Sequence, residues 1–191
     1  MERTESNLPV FSYFKRPVSN PHPAANYTLL DAYNYIVGNQ AKEATETLRT
    51  IDGEAEQREF KAQNFDYCTF SGTFPYRKKE NLSKHSGYMI IDLDHLKDIE
   101  KVRQQLLNDE YLDTQLLFVS PRGHGLKWLV EINLDIASHK EYFDAITNYL
   151  KQTYNLDVDQ SGSDVSRPCY LPYDPTCYIN PKYLHNEQKS I

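Results

Sequence analysis

Two periods run through the apolar positions of the chain, and each regular stretch predicts an element. From Thr28, the residues Leu29, Leu30, Tyr33, Ile36 and Val37 recur at helical spacing, and Gly38-Asn39 supplies a stop. Two further helices are predicted over Ala41 to Thr50 and Glu54 to Gln63. Phe65 to Phe70 alternates toward a strand until Ser71-Gly72-Thr73 and Pro75 break the pattern. Tyr88 to Asp94 is the clearest strand, and Ile99 to Leu107 the clearest amphipathic helix. Leu116 to Ser120 and Leu126 to Ile132 read as two strands of a hairpin, joined by Pro121-Arg122-Gly123-His124-Gly125. Ser138 followed by Glu141 is a capping box that opens a helix running to about Tyr154. Both ends lack such periods. The amino-terminal stretch holds Pro9, Pro17, Pro21 and Pro23, each of which removes a backbone donor and fixes φ, so an extended arm is expected. From Leu156 the chain reads as loop with short strands, interrupted by Pro168, Pro172, Pro175 and Pro181.

A length of 191 residues fits one domain built as two lobes and is enough to bury a core. The 39% hydrophobic and 25% charged content excludes disorder throughout. No run approaches the roughly 18 apolar residues of a membrane span, and Met1 to Val10 lacks a signal-peptide core, so no membrane partner and a cytoplasmic location are expected. Cys68, Cys169 and Cys177 lack the paired short spacings of a zinc site or disulfide framework and read as reduced, structural thiols. A net charge of −6 argues against nonspecific coating of nucleic acid, which needs a basic surface to release counterions. Any anion-binding chemistry must then be local.

Three stretches carry candidate chemistry. Alternation along the strand Tyr88 to Asp94 sends Met89, Ile91 and Leu93 to one face and Ile90, Asp92 and Asp94 to the other. Neighbouring carboxylates repel unless a cation sits between them, and oxygen ligands suit Mg²⁺ or Mn²⁺. A strand end dissolving into a solvated turn before His95 would look the same. Ser120-Pro121-Arg122-Gly123-His124-Gly125-Leu126-Lys127 combines glycines, which let backbone approach phosphate, with a hydroxyl and cations that could hold a triphosphate. It is not a P-loop, since a strand follows where a helix is required. A glycine-rich hairpin turn with incidental charge is the plainer reading, although Lys127, if it points inward, needs an anion. Leu156-Asp157-Val158-Asp159 brings a third acid out of an apolar strand, with Asp164 and Arg167 following. Asp159, more than Asp157, could complete a two-metal ligand set, with Arg167 on phosphate. Alternatively, Asp164 and Arg167 pair with each other on a surface loop.

The order of these stretches, acid pair on a strand, basic glycine turn, then an acid near an arginine, resembles the archaeo-eukaryotic primase superfamily. More closely, Phe70-Ser71-Gly72-Thr73-Phe74, His85-Ser86-Gly87 leading into Ile90-Ile91-Asp92-Leu93-Asp94-His95, the 120–127 turn and Asp164-Val165-Ser166-Arg167-Pro168-Cys169-Tyr170-Leu171-Pro172-Tyr173-Asp174-Pro175 resemble the VirE amino-terminal domain. Domains of that family precede helicase-like regions in proteins of Bacteroidetes and their mobile elements. The resemblance implies an α+β fold, with an RNA-recognition-motif-like palm over residues 85–191 packed against an amino-terminal lobe over 1–84. It also implies DNA primase or primase-polymerase activity, a nucleotidyl transfer from NTP or dNTP on a single-stranded DNA template, alongside a helicase domain or subunit. Asp92, Asp94 and Asp159 would hold Mg²⁺ or Mn²⁺, and Ser120, Arg122, Gly123, Gly125, Lys127 and Arg167 the nucleotide. Lys127 departs from the superfamily, where a histidine is usual. Arg77, Lys78, Lys79 and Lys84, with Phe74 and Tyr76 among them, could grip the template. His85 and Trp128 read as structural. Two other classes fit the same residues: a degenerate palm that only binds nucleic acid or nucleotide and recruits a helicase, and a metal-dependent nuclease.

Overall fold

The structure, a computed structural model, describes residues 8–184 and is mixed α+β with antiparallel sheets. Its amino-terminal lobe begins with strands β1 (Phe11–Phe14) and β2 (Ala25–Tyr27), paired antiparallel with Ser12 opposite Asn26. The expected proline-rich arm is therefore a hairpin, because Pro9 precedes β1 and Pro17, Pro21 and Pro23 lie between the strands, which spares both from losing ladder donors. Helices α1 (Leu29–Val37), α2 (Lys42–Leu48) and α3 (Glu54–Asn64) follow where the spacing predicted them. Thr28 and Asp31 form a capping box at the start of α1, and Gly38 caps its end. Strand β3 (Tyr67–Thr69) pairs with β1, and the buried Asp66 before it accepts hydrogen bonds from the Tyr35 hydroxyl (3.0 Å) and the Arg16 backbone N–H (2.9 Å). With the Tyr13 hydroxyl also donating to it, that carboxylate ties β1 and α1 to the start of β3. A small ladder of β4 (Gly72–Thr73) and β5 (Lys84–His85) leads out of the lobe.

The second lobe is built on β6 (Tyr88–Leu93), α4 (Ile99–Leu107), β7 (Thr114–Val119), β8 (Leu126–Glu131) and α5 (His139–Tyr154). The predicted hairpin of β7 and β8 and the Ser138–Glu141 capping box are both present. Strand β9 (Cys169–Tyr170) then crosses back to pair with β3, and β10 (Tyr178–Ile179) returns to pair with β7. The sheets run β2-β1-β3-β9 and β10-β7-β8-β6. A boundary at 84/85 thus separates the lobes only in part, since the carboxy-terminal region completes both sheets.

The sheet of the second lobe follows the order βαββα, with β8 between β6 and β7. The last strand lies beside β7, which leaves β6 at an edge. That edge is occupied by residues 156–163, which form no strand. Asp159 instead caps a 3-10 turn over Gln160–Ser163 and donates its backbone N–H to the Asp92 carbonyl at 3.0 Å. The predicted apolar strand ending in Asp159 is therefore corrected: Leu156 and Val158 are apolar because they bury into the core beneath α5, not because they pair in a sheet.

The two faces of this sheet bury different partners. Met89, Ile91 and Leu93 pack with Val102, Leu106, Phe143, Ile146 and Leu150 of α4 and α5, as does Trp128, whose indole N–H donates to the Thr114 hydroxyl at 2.8 Å. Tyr88, Ile90, Leu116, Phe118 and Leu129 pack against the amino-terminal lobe through Phe11, Ile36 and Phe70. Burying each such side chain contributes about 1.5–3 kcal/mol, so both faces are firmly specified. The second face decides the site, because Asp92 and Asp94 continue the alternation of Tyr88 and Ile90. No helix among the described residues is long and apolar enough to cross a membrane.

Candidate functional site

At the end of β6 the apolar alternation gives way to Asp92 and Asp94, which emerge beyond the contact between the lobes. Gly125 lets the 120–127 turn lie directly against them: a Cβ there would meet the Leu93 carbonyl oxygen at 2.3 Å and the Asp94 Cα at 3.1 Å. The turn is closed by Ser120 N–H to the Gly125 carbonyl and Gly123 N–H to the Ser120 carbonyl, both 2.8 Å, with Gly123 in the left-handed region at φ 85°. His95, also left-handed, turns the chain so that the Leu96 N–H reaches the His124 carbonyl at 2.9 Å. Acid strand and glycine turn are thus one braced unit.

Asp92, Asp94 and Asp159 each present a carboxylate oxygen within 4.8 Å of the others. One Asp92 oxygen, Oδ1, is buried without a hydrogen-bond partner among the described residues, and its Oδ2 pairs with Lys127. Three converging carboxylates with an orphaned buried oxygen are chemically suited to a hard divalent cation such as Mg²⁺ or Mn²⁺. Burial raises the proton affinity of Asp159, but hydrogen bonds from Ser161 and the charges of Arg167 and Lys127 outweigh it and hold the carboxyl below its usual range. Asp157, in contrast, is exposed and paired with Lys151.

The register Asp92 opposite Lys127 puts Lys127 on the face of Leu129, toward the amino-terminal lobe; the β7 irregularity between Thr114 and Leu116 leaves it untouched. Burial pushes Lys127 down to about 8, against the opposing influence of Cys169 and with the charge of Lys61 adding to the fall. Arg167 approaches Asp159 at 3.7 Å. It does not pair with Asp164, whose carboxylate accepts from the Ser166 N–H and hydroxyl, both 2.9 Å.

Asp92, Asp94 and Asp159 line a cavity of about 520 Å³, a nucleotide-sized space. Ser120, Arg122, Lys127 and Arg167 all line it, whereas Gly123 and Gly125 shape the turn without lining it. The proposed template patch is not part of it. Arg77 is tied down by the Tyr67 hydroxyl (3.0 Å) and the Val18 carbonyl (2.8 Å), Lys78 pairs with Glu80, and Lys79 and Lys84 do not line the cleft.

Sequence reasoning missed Arg58 and Lys61 of α3, and Ser161, Gly162, Pro168, Cys169 and Tyr170. Only the cation spacing in Arg58-x-x-Lys61 hinted at a shared helical face. The three cysteines are free and buried, and Cys169 stands opposite Cys68 in the β3–β9 ladder.

A family model described as BT4734-like, N-terminal domain, matches residues 59–179, more than half of the chain. The chain belongs to the BT4734-like family. The BT4734-like match takes in the three aspartates, the glycine turn, Arg167 and Lys61, and it begins inside α3, one residue after Arg58. It fits the VirE-like resemblance in broad terms. No curated protein and no solved structure matches the chain.

Proposed function

We propose that the protein is a metal-dependent nucleotidyl transferase of primase or primase-polymerase type, joining NTP or dNTP units on single-stranded DNA, with the second lobe as its palm. One observation carries the reading: three carboxylates and five cationic side chains, Arg58, Lys61, Arg122, Lys127 and Arg167, share a single nucleotide-sized cleft. A site for metal alone has no use for the cations, and one for an anion alone gains nothing from the converging acids.

Asp92, Asp94 and Asp159 would hold Mg²⁺ or Mn²⁺, whose chemistry there is to orient the attacking hydroxyl and offset charge on the reacting phosphate. Arg122 and Arg167 offer planar donor forks to phosphate, and Ser120 a hydroxyl. Lys127 supplies a fixed positive charge beside Asp92. Ile90, Pro121 and Pro168 add apolar wall to the same cleft. A helicase domain or subunit would deliver the single-stranded template.

The Lys127–Asp92 pair favours one other reading, a binding module in which lysine neutralises the acid and no chemistry occurs. Incubation with single-stranded DNA, labelled nucleotides and Mg²⁺ or Mn²⁺ separates the two, using Asp92→Asn/Asp94→Asn of equal melting temperature as control. Extended products from the unmutated protein alone support polymerisation. Absence of product, with nucleotide or DNA still bound, transfers the assignment to the binding module.

A further inference from the structure

We propose that Arg58 and Lys61, carried by α3 of the amino-terminal lobe, bind the β- and γ-phosphates of the incoming nucleotide, so that the triphosphate is gripped from both lobes. This rests on the nucleotidyl-transfer reading, which counts both cations in the cleft, and gives them a specific role there.

Helix α3 has no buried residue, so its cations are not held in place by a core role. Arg58 and Lys61 are one helical turn apart and both line the cleft. Among the described residues, neither lies within ion-pair distance of a carboxylate. Lys61 is nevertheless partly buried, and the charges that act on it include those of Arg122, Arg58 and Arg167, with Asp94 opposing. Like charges gathered in a partly desolvated cleft are costly unless an anion joins them. A bound divalent cation would offset most of the carboxylate charge, and a tail of two phosphates supplies the negative charge the cations then lack.

Lys61 is also positioned. Its ammonium lies over the Tyr170 ring, 5.8 Å from the centroid, and that ring is braced edge-on by Phe65 (6.3 Å) and Tyr67 (6.4 Å). Tyr170 stands on β9, the strand that joins the carboxy-terminal region to the amino-terminal sheet. We therefore assign Tyr170 as a positioning residue for Lys61.

Calorimetric titration of the whole chain with ATP, ADP and AMP in Mn²⁺ tests this without requiring turnover. The unmutated protein should bind ATP tightest and AMP weakest. Arg58→Met and Lys61→Met should each weaken ATP about tenfold, as expected for loss of one charged hydrogen bond, and leave AMP within about twofold. Tyr170→Phe should keep the affinity for ATP, and Tyr170→Leu should reduce it. Melting temperatures within the scatter of the unmutated protein exclude a folding defect, and α3, with no buried residue, should tolerate the Arg58 and Lys61 changes. Unchanged ATP binding in the Arg58 and Lys61 variants, or equal losses for ATP and AMP, would overturn the phosphate-tail role while leaving the nucleotide site intact. Failure of the unmutated protein to bind any of the three would remove the nucleotidyl-transfer reading itself, and this inference with it.

Discussion

Lys127 and Gly125 act on the same two acids by different means. The Lys127 ammonium is the only cation paired with Asp92 among the described residues, and both side chains are largely buried. Replacing it in Lys127→Met leaves Asp92 with no opposite charge, and metal-free stability should fall by about 1–3 kcal/mol, less than for a fully buried pair because some solvent reaches both groups. Added Mn²⁺ should then raise the melting temperature of Lys127→Met by more than that of the unmutated protein, since the cation takes over the lysine's charge; an equal rise in both would show that Asp92 is not a ligand. Gly125→Ala works through space. Its new Cβ would press on the Leu93 carbonyl and the Asp94 Cα, and overpacking of this kind costs about 1–3 kcal/mol. Urea unfolding should register that loss, together with weaker Mn²⁺ binding as the acid-bearing end of β6 is displaced. Asp92, Asp94 and the glycine turn were all legible in the sequence because strand alternation and turn chemistry are local. The Lys127 partner was not, since it depends on which residue of β6 lies opposite.

Between elements, β5 and α5 are joined by an imidazole pair. The Gly87 N–H donates to His85 Nδ1 at 3.0 Å, which leaves the His85 proton on Nε2 to donate to His139 Nδ1, also at 3.0 Å. Burial, and then the neighbouring His139, push His85 down to about 4, and burial likewise lowers His139. Both rings take up protons in the unfolded chain near the usual histidine value of about 6.5. The unfolded state therefore binds more protons in that window, and the stabilising contribution is complete above it and is lost as pH falls toward about 4. Lys79 and Asp164 add opposing charges beside His139. Unfolding free energy measured at pH 7.5 and pH 5 should drop for the unmutated protein and drop less for His85→Asn; equal drops would show that the pair does not drive the change. At this scale the helices were readable from spacing and caps. Strand β1 was not, because all four of its residues are buried and its partner β3 lies far along the chain, with Ser12 opposite Thr69. The stretch 156–159 was misread for a related reason: apolar residues bury equally well in a docked loop as in a strand.

Across the whole molecule, each lobe covers a face that the other would expose. Residues 85–191 alone would uncover Tyr88, Ile90, Leu116, Phe118 and Leu129, and they would lose β3 as the partner of β9. That fragment should bind a hydrophobic dye strongly and lack a cooperative melting transition, whereas a sharp transition in the isolated fragment would show that the second lobe folds by itself. The sequence by itself determined the helices, the β7–β8 hairpin, the two-carboxylate end of β6 and the inventory of acids and cations, because period, capping and turn preference act over a few residues. Only the tertiary structure decided that Asp159 reaches the acid pair by docking on an open sheet edge, that Lys127 faces Asp92, and that Arg58 and Lys61 enter the same cleft. Those arrangements depend on register and on burial between lobes, which bring together residues whose separation along the chain carries no local signal.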